Sequence, residues 1–268
     1  MKLSTDYLRR YLALCPAALA LERSIECDMH ARYSWPTPIL DIGCGDGIFA
    51  KILRTEQIDT GIDLDPIEVK RARKTGMYRE LIVCSAAQIP KPDESYATLV
   101  SNSVLEHIPD LLPVLIEASR LMAPDSRFYI TVPSDRLVHA TLPARFLKAA
   151  GLKSLAEKYG KFYNRFWRHY HDYDDAGWRS LFSKAGLEVI EHTPYVPRNL
   201  STLYDFLTVL AFPSLIAKPL MGRWILWPWL RQIIVGPWHK VLFGIVHRLN
   251  QSDNGCLFFY TLKKRSSK

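Results

Sequence analysis

Short apolar runs alternate along the first half of the chain with stretches in which apolar residues recur every three or four positions. Apolar runs of about four to eight residues are typical of strands buried in a parallel sheet, whereas the wider spacing is typical of helices with one apolar face. The alternation therefore predicts a largely parallel sheet covered by helices on both faces. The predicted strands are 39–42, a strand ending at 63, 81–84, 97–102 and 127–133, and the predicted helices begin at 16, 48, 68 and 111.

The first of these helices follows Arg9-Arg10 and an apolar run, an order that also occurs in export signals. Charged residues follow at once within 22–26, and no small-residue cleavage site is present. Pro16 in the first turn and apolar residues along one face instead indicate an amphipathic helix that leads into the fold. We therefore expect a cytoplasmic protein.

Three glycines separate the first predicted strand from the helix that follows it, in the order Asp41-x-Gly43-x-Gly45-x-Gly47. Glycines permit a tight turn and let a ligand lie against bare backbone, and the helix N-terminus favours an anionic or polar group. The dinucleotide fingerprint G-x-G-x-x-G would need glycine at position 48, which is Ile48, so the pattern disfavours NAD.

A second acidic residue strengthens the prediction of a nucleoside ligand. Asp63 ends the second predicted strand, 20 residues beyond Gly43. An acidic side chain at this place can accept hydrogen bonds from both hydroxyls of a ribose. The alternative, a plain strand, turn and helix with a surface aspartate, does not account for both motifs at this separation.

The glycine turn and Asp63 together resemble motif I and the next acidic position of the class I S-adenosylmethionine (SAM)-dependent methyltransferases. The similarity covers residues 39–133 and resumes at 173–190 and 255–264. It implies a Rossmann-like α/β fold: a seven-stranded sheet whose last strand is antiparallel, helices on both faces, and SAM as the cofactor. The cofactor-binding residues implied in this way are Asp41, Gly43, Cys44, Gly45, Gly47, Asp63, Leu64, Ser85, Ala86 and Asn102.

The chain departs from the family pattern in the half that would bind SAM. The family often carries Asp after the third strand, where this chain has Ser85, and Phe-Asp at the start of the fourth, where it has Tyr96-Ala97. A serine can still hydrogen-bond an adenine amino group, so we expect rearranged adenine contacts. The same departures leave open a catalytically silent SAM-fold subunit. Asp125 stands where the family usually has glycine.

The first of two insertions, residues 134–171, is basic and aromatic. Eight Lys/Arg lie between Arg136 and His171 against one acid, Glu157, and aromatic residues are interleaved with them. In the family that the chain resembles, an insertion at this place caps the substrate pocket, and a basic cap suits a substrate that carries phosphate or another acid. The alternative is a solvated helix face with aromatic residues in the core.

The second insertion, residues 197–253, is apolar and rich in tryptophan. No Asp or Glu occurs between Phe206 and Ser252, and four of the seven tryptophans lie within 224–238, beside basic residues. Prolines are expected to divide it into short pieces, each below the roughly 20 apolar residues that a membrane-spanning helix needs. Tryptophan with Lys or Arg on short apolar helices favours attachment to a membrane surface. A homodimer interface or the core of a large cap is the alternative.

Composition refines this picture only slightly. The 268 residues are enough for one domain, 1–268, that carries both insertions. Lys+Arg 35 against Asp+Glu 27 gives +8, which suits an anionic partner. Nucleic acid is not expected, because the bulky aliphatic residues beside the charge would be poorly used against phosphates. Five cysteines without paired spacing indicate a reducing compartment.

Histidines are the candidate bases if the methyl acceptor is a hydroxyl, which must lose a proton. His107 follows Glu106 just after the fourth strand, where the methyl group is expected, while His169 and His171 close the first insertion. Each histidine has an alternative as a helix cap or as a hydrogen-bonded core residue. The candidate catalytic residues are therefore His107, His171, His169 and Glu106.

Ser103-x-x-Glu106-His107 also resembles, imperfectly, the Glu-x-x-Glu-His metal site of some related O-methyltransferases. Ser103 replaces the first glutamate, and hard cations prefer carboxylates. A metal on Glu106, His107 and His171 is an alternative, but we predict none.

The sequence thus predicts a SAM-dependent methyltransferase, most simply an O-methyltransferase at the inner membrane surface. Its acceptor would be a lipid-linked or amphiphilic small molecule such as a lipid-carried sugar or a quinone precursor. The alternatives are a methyltransferase on a soluble small molecule, with 197–253 as the dimer interface, and the silent subunit of a membrane enzyme complex. The sequence does not distinguish oxygen, nitrogen and carbon as the accepting atom.

Overall fold

The strands form one mixed sheet in a computed structural model that describes residues 5–222, 224–225, 228–249 and 255–265. Within these residues the sheet has seven strands in the order β3-β2-β1-β4-β5-β7-β6. The strands are β1 (Ile39–Ile42), β2 (Ile58–Asp63), β3 (Tyr78–Val83), β4 (Tyr96–Asn102), β5 (Met122–Pro133), β6 (Leu187–Pro197) and β7 (Gly255–Lys264). This architecture confirms the predicted fold class.

The central pairs, β1 with β2 and with β4, β2 with β3, and β4 with β5, are all parallel. Only β7 runs against its neighbours, and it lies between β5 and β6. The carboxyl ends of β1, β2, β4 and β5 therefore meet at one edge of the sheet, where ligands bind in open α/β folds.

Eleven helices are present in the described part of the chain. They are α1 (Thr5–Leu14), α2 (Ala17–His30), α3 (Ile48–Leu53), α4 (Pro66–Arg73), α5 (Leu112–Leu121), α6 (Leu137–Ala140), α7 (Leu142–Ala149), α8 (Lys153–Trp167), α9 (Asp175–Lys184), α10 (Arg198–Met221) and α11 (Pro228–Leu249). A short 3-10 helix, Leu105–His107, follows β4. The first insertion accordingly folds as α6, α7 and α8.

Alternate residues of the strands pack on opposite faces of the sheet. Leu40 and Ile42 join a core with α5 and α9, whereas Ile39 joins a second core with α2, α3, α4, α10 and α11. A smaller apolar cluster packs α1 against α2 and α3. The two-sided covering that the strand pattern predicts is thus observed.

The second insertion does not consist of short pieces, and that expectation is wrong. It forms two long helices, α10 and α11, with Pro213 and Pro219 inside α10, Pro237 inside α11 and Pro228 at the first position of α11. Proline is tolerated at a first helical position, and interior prolines weaken a helix without ending it when packing holds the flanking turns. Among the described residues, no helix combines the length and apolar character that crossing a membrane requires.

Candidate active site

The glycine turn after β1 is shaped for close approach to backbone. Gly43 has φ +80°, and a side chain there would overlap that of Val104. The Gly43 and Cys44 amides both donate to the Ile62 carbonyl, at 2.9 Å each, which ties the turn to β2. The turn is therefore fixed in a conformation that only glycine adopts without strain.

Asp63 links the glycine turn to the end of β2. Its Oδ2 accepts a hydrogen bond from the Gly45 amide at 2.9 Å, and its Oδ1 accepts one from the Asp65 amide at 2.9 Å. Each carboxylate oxygen keeps a further lone pair, so Asp63 can still accept from two ligand hydroxyls. The two amides hold the carboxylate in place before any ligand binds.

Two adjoining cavities lie against these residues, with volumes of about 320 Å³ and 140 Å³. Gly43, Asp63 and Val104 line both. The larger also touches Cys44, Gly45, Asn102, Ser103 and His107, and the smaller touches Leu64, Ser85 and Ala86. Asp63 thus lies where the two cavities meet, with Ser85 lining the smaller cavity and Gly45 and Asn102 lining the larger.

Two of the predicted cofactor residues, Asp41 and Gly47, are not among those that line the cavities. Asp41 is buried, and its Oδ2 accepts a hydrogen bond from the Tyr78 hydroxyl at 2.7 Å. Burial raises the pKa of Asp41 to about 6, and the charge of Asp63 acts in the same direction, while the Tyr78 bond opposes them. Gly47 precedes α3 with φ +75° and lies against Ala72 of α4. Both residues therefore contact neighbouring elements of the fold, Asp41 through Tyr78 and Gly47 through α4.

His107 lines the larger cavity and is fixed by the first insertion. Its Nδ1 lies 3.2 Å from the carbonyl oxygen of Arg168. A carbonyl only accepts, so Nδ1 carries the proton and the neutral ring leaves Nε2 as a proton acceptor. Arg168 ends α8 in the left-handed region, at φ +56°, which aims its carbonyl at the ring. Burial lowers the pKa of His107.

Glu106 and His169 lie beside His107. Ligand atoms of the three residues lie within 4.8 Å of one another. Burial raises the pKa of Glu106 to about 8, so the 3.8 Å contact between its Oε1 and His107 Nε2 joins uncharged groups near pH 7. Burial, and then the charge of His107, lower the pKa of His169 to about 4. The structure thus brings together three of the four predicted catalytic residues.

The fourth, His171, lies elsewhere and is held on both sides. Its Nε2 is 2.9 Å from the Ile108 carbonyl, and its Nδ1 is 3.1 Å from the Tyr173 hydroxyl. The ring also meets Trp178 edge to face. It is not among the residues that line either cavity. These contacts hold the His171 ring in place, and its catalytic role stays a prediction.

A comparison with known proteins identifies the family of this chain. The family model described as a methyltransferase domain matches residues 7–192, which is more than half of the chain. The chain belongs to the SAM-dependent methyltransferases. SAM is the cofactor of this family, and the two cavities are the candidate site for it.

Individual relatives match over parts of the chain or at low identity. A ubiquinone biosynthesis O-methyltransferase of Aliivibrio fischeri (strain MJ11) is 30% identical over 99 residues, which are 35% of this chain and 42% of that enzyme. The chain thus spans less than half the length of this relative.

Two solved structures share the fold. The [4+2]-cyclase SpnF gives a TM-score of 0.56 at 16% identity, with 92% of this chain and 82% of that one covered. An N-methyltransferase of Haemonchus contortus, in complex with phosphomonomethylethanolamine and S-adenosylhomocysteine, gives 0.52 at 15% identity, with 94% and 54% covered.

Sequence reasoning missed a buried polar network on α2 of this methyltransferase. Glu26 is fully buried and accepts hydrogen bonds from the side chains of Arg23, Asn102, Ser103 and Tyr195, at 2.6, 2.7, 2.8 and 3.1 Å. Arg23, Asn102 and Ser103 also line the SAM cavity. No pattern in the sequence of α2 marks Glu26 as buried, because Glu22, Arg23 and Glu26 together form the polar face of the predicted helix.

It also missed the end of α10, which reaches the SAM cavity. Lys218 Nζ lies 3.4 Å from Asp46 Oδ2 and 3.2 Å from Glu68 Oε1, and it sits 4.4 Å from the centre of the Trp224 ring. Arg71 pairs with the same Glu68 at 2.6 Å. Lys218 and Trp224 line the larger cavity, so part of the second insertion belongs to the methyltransferase site.

Proposed function

We propose that this methyltransferase transfers the methyl group to a hydroxyl oxygen of an amphiphilic acceptor, with His107 as the general base. The observation that carries the proposal is the position of His107. It lines the SAM cavity with Nδ1 bound to the Arg168 carbonyl and Nε2 left as an acceptor.

The chemistry needs few protein groups besides a base and fixed positions. Bound SAM supplies an electrophilic methyl group. His107 Nε2 takes the hydroxyl proton as the oxygen forms its bond to that methyl group and the carbon–sulfur bond breaks. Because burial lowers the pKa of His107, the ring is uncharged and ready to accept a proton near pH 7. Glu106, protonated near pH 7, can donate a hydrogen bond beside it.

Two observations support an amphiphilic acceptor. The similar Aliivibrio enzyme is named for ubiquinone biosynthesis, so a quinone precursor is one acceptor class, and a lipid-carried sugar is the other. In addition, α10 exposes Phe206, Val209 and Leu210, which are 61%, 75% and 66% exposed and lie on one helix face. We infer that this face meets the inner surface of a membrane from the cytoplasmic side, where an amphiphile would be presented.

The test is transfer of labelled methyl from SAM into a total cell extract, followed by separation of organic and aqueous phases. Label in the organic phase supports the amphiphilic acceptor. Label confined to the aqueous phase would still support methyl transfer, but to a water-soluble acceptor. In that case α10 and α11 would form a dimer interface and not a membrane contact.

The role of His107 is tested in the same assay. His107→Gln is expected to lower the rate by about 10²–10⁴-fold without weakening SAM binding, because only proton removal is lost. The rate of the unchanged enzyme should also fall once the pH drops below the ordinary pKa of a histidine side chain, because protonation of His107 removes the base. His247→Gln, an exposed position on α11, is the matched control. An unchanged rate in His107→Gln would contradict the assignment.

A further inference from the structure

A strongly basic pocket lies apart from the SAM cavity, between the first insertion and the start of α10. Its volume is about 720 Å³, and it is lined by Arg136, Arg145, Lys148, Arg198 and His139, with Cys256 of β7 at its base. We call this the basic pocket. No acidic residue is among its described lining residues.

Two cations of the basic pocket, Lys148 and Arg145, have hydrogen-bond partners that are not carboxylates. Lys148 Nζ donates to His139 Nδ1 at 3.2 Å, and Arg145 donates to the Thr202 hydroxyl at 2.7 Å. In the part of the chain that the structure describes, none of the four cations lies within 4.0 Å of a carboxylate. Hydrogen bonds thus fix two of these side chains, but no carboxylate of the described residues forms an ion pair with any of the four cations.

Asp205 and Asp135 both act to raise the pKa of Cys256, so both acids lie near the basic pocket. The Asp205 carboxylate accepts the Leu142 amide at 2.6 Å, and burial raises its pKa while the charge of Arg145 opposes that rise. Arg136, Arg198 and Cys256 all line this one pocket. Four cations therefore face two acids, of which Asp205 is already engaged by a backbone amide.

The basic pocket lies at the same edge of the sheet as the SAM site. Asn102 of β4 pairs with Thr131 of β5, and Thr131 pairs with Phe259 of β7. Neighbouring strands are about 5 Å apart, so β7 lies about 10 Å from β4 across the sheet. Cys256 is three residues from Phe259 toward the ligand-binding edge, and Ser134 at the end of β5 bonds its carbonyl. The basic pocket and the candidate SAM site therefore lie at the same edge of the sheet, two strand spacings apart across it.

We propose that the basic pocket binds a phosphate or diphosphate group of the methyl acceptor, a statement that rests on the proposed O-methylation. A guanidinium group can donate two parallel hydrogen bonds to two oxygens of one phosphate. A ligand that carried only a single carboxylate would leave most of the four positive charges without a counter-charge. Of the two acceptor classes above, this favours the phosphate-linked, lipid-carried sugar over the quinone precursor.

The binding test uses inorganic pyrophosphate and calorimetry, without any acceptor. The unchanged protein should bind pyrophosphate with or without SAM, and Arg136→Ala/Lys148→Ala should weaken that binding by about 100-fold, as two charge-assisted contacts are lost. Both side chains are exposed, so SAM affinity should not change. Arg73→Ala/Lys74→Ala removes the same charge from an exposed part of α4 and its end and should have no effect. Absence of binding, or equal loss in both variants, overturns the proposal.

The extract assay then identifies the source of the phosphate. Organic-phase label that disappears in Arg136→Ala/Lys148→Ala indicates a lipid-carried phosphate, and aqueous label that disappears indicates a water-soluble one. Label that is insensitive to the substitutions overturns the link to the acceptor. If no extract takes up label while pyrophosphate binding still depends on Arg136 and Lys148, the proposed O-methylation fails and the anion site stands.

Discussion

At the scale of single residues, the site depends on carboxyl groups in contrasting surroundings. Asp63 is fixed by two backbone amides and keeps acceptor capacity toward the cavity. Glu106 is buried, and one of its oxygens, Oε2, has no hydrogen-bond partner among the described residues. The first arrangement suits recognition of hydroxyls, and the second holds a carboxyl group in its protonated form.

Asp63→Ala is expected to abolish measurable SAM binding and to leave the fold intact. The substitution removes both ribose contacts and releases the Gly45 amide, so affinity should fall by more than about 100-fold. Calorimetric titration with SAM measures this, and circular dichroism checks the fold. Asp65→Ala, two residues away at the cap of α4, should keep its SAM affinity. Unchanged affinity in Asp63→Ala would refute the cofactor assignment.

Glu106→Gln should stabilise the protein more at pH 8 than at pH 4. Burial holds the folded pKa of Glu106 near 8, above its ordinary value of 4.5. The stability that the protonated Glu106 carboxyl contributes is fully present below its pKa in the unfolded chain, 4.5. It is lost as the pH rises from there through the pKa in the folded protein, about 8, at up to about 1.4 kcal/mol per pH unit. Glutamine does not titrate and escapes this loss.

Thermal melts across that pH range measure the difference between Glu106→Gln and the unchanged protein. The gap should widen from pH 4.5 to pH 8 and then level off. Glu157→Gln, at an exposed position on α8, is the control and should show no such trend. A constant gap would mean that Glu106 is ionised in the folded protein.

At the scale of elements, α10 brings part of the second insertion to the proposed SAM cavity. Its Lys218 contacts Asp46 in the glycine turn and Glu68 in α4. Without this cation, two carboxylates beside the SAM cavity lose a shared partner, so Lys218→Ala should weaken SAM binding several-fold, by about 1 kcal/mol. Lys240→Ala on the exposed side of α11 removes the same charge and serves as the control. Equal SAM affinities in the two variants would contradict this role.

Local pattern predicted the elements whose burial is uniform. β1 is buried on both faces, and its observed bounds match the apolar run. β3 instead begins at Tyr78, ahead of the predicted start, because Arg79 and Glu80 are exposed on an edge strand where polar residues are tolerated. Asp125 takes the left-handed conformation, φ +62°, of the glycine usual at that place.

Contacts between residues far apart in the chain could not be predicted from the local sequence pattern. Glu26 meets Asn102 and Ser103 across 76 and 77 positions of the chain. Lys218 reaches Asp46 from an insertion whose composition indicated a membrane or a dimer. No spacing rule relates such partners, so α2 and α10 were missed as parts of the site. The glycine turn and Asp63 were found because their geometry is set by neighbours in sequence.

At the scale of the whole molecule, the exposed apolar face of α10 is the surface that we propose meets a membrane. Val209→Ser/Leu210→Ser should release the protein from vesicles that contain anionic lipid, since each apolar side chain removed weakens interfacial insertion by about 1–2 kcal/mol. Flotation with vesicles measures this, and Ile67→Ser/Ile116→Ser, which alters exposed residues elsewhere, is the control.

Gel filtration separates the membrane from a second copy of the chain. If the unchanged protein does not float but runs as a dimer that Val209→Ser/Leu210→Ser converts to a monomer, the face is a subunit interface. Flotation that persists in the α10 variant would place the membrane contact on another surface.

The position of β7 between β5 and β6 has a consequence for synthesis on the ribosome. Residues 198–254 are translated after β6 and before β7, the strand that β6 pairs with in the described sheet. At about 5–20 residues per second, β6 leaves the ribosome roughly 3–11 s ahead of its partner. During that interval the hydrogen-bonding edges of β5 and β6 lack β7, and open strand edges invite association between nascent chains. Slow codons within 198–254 would lengthen this interval and increase the demand for chaperones.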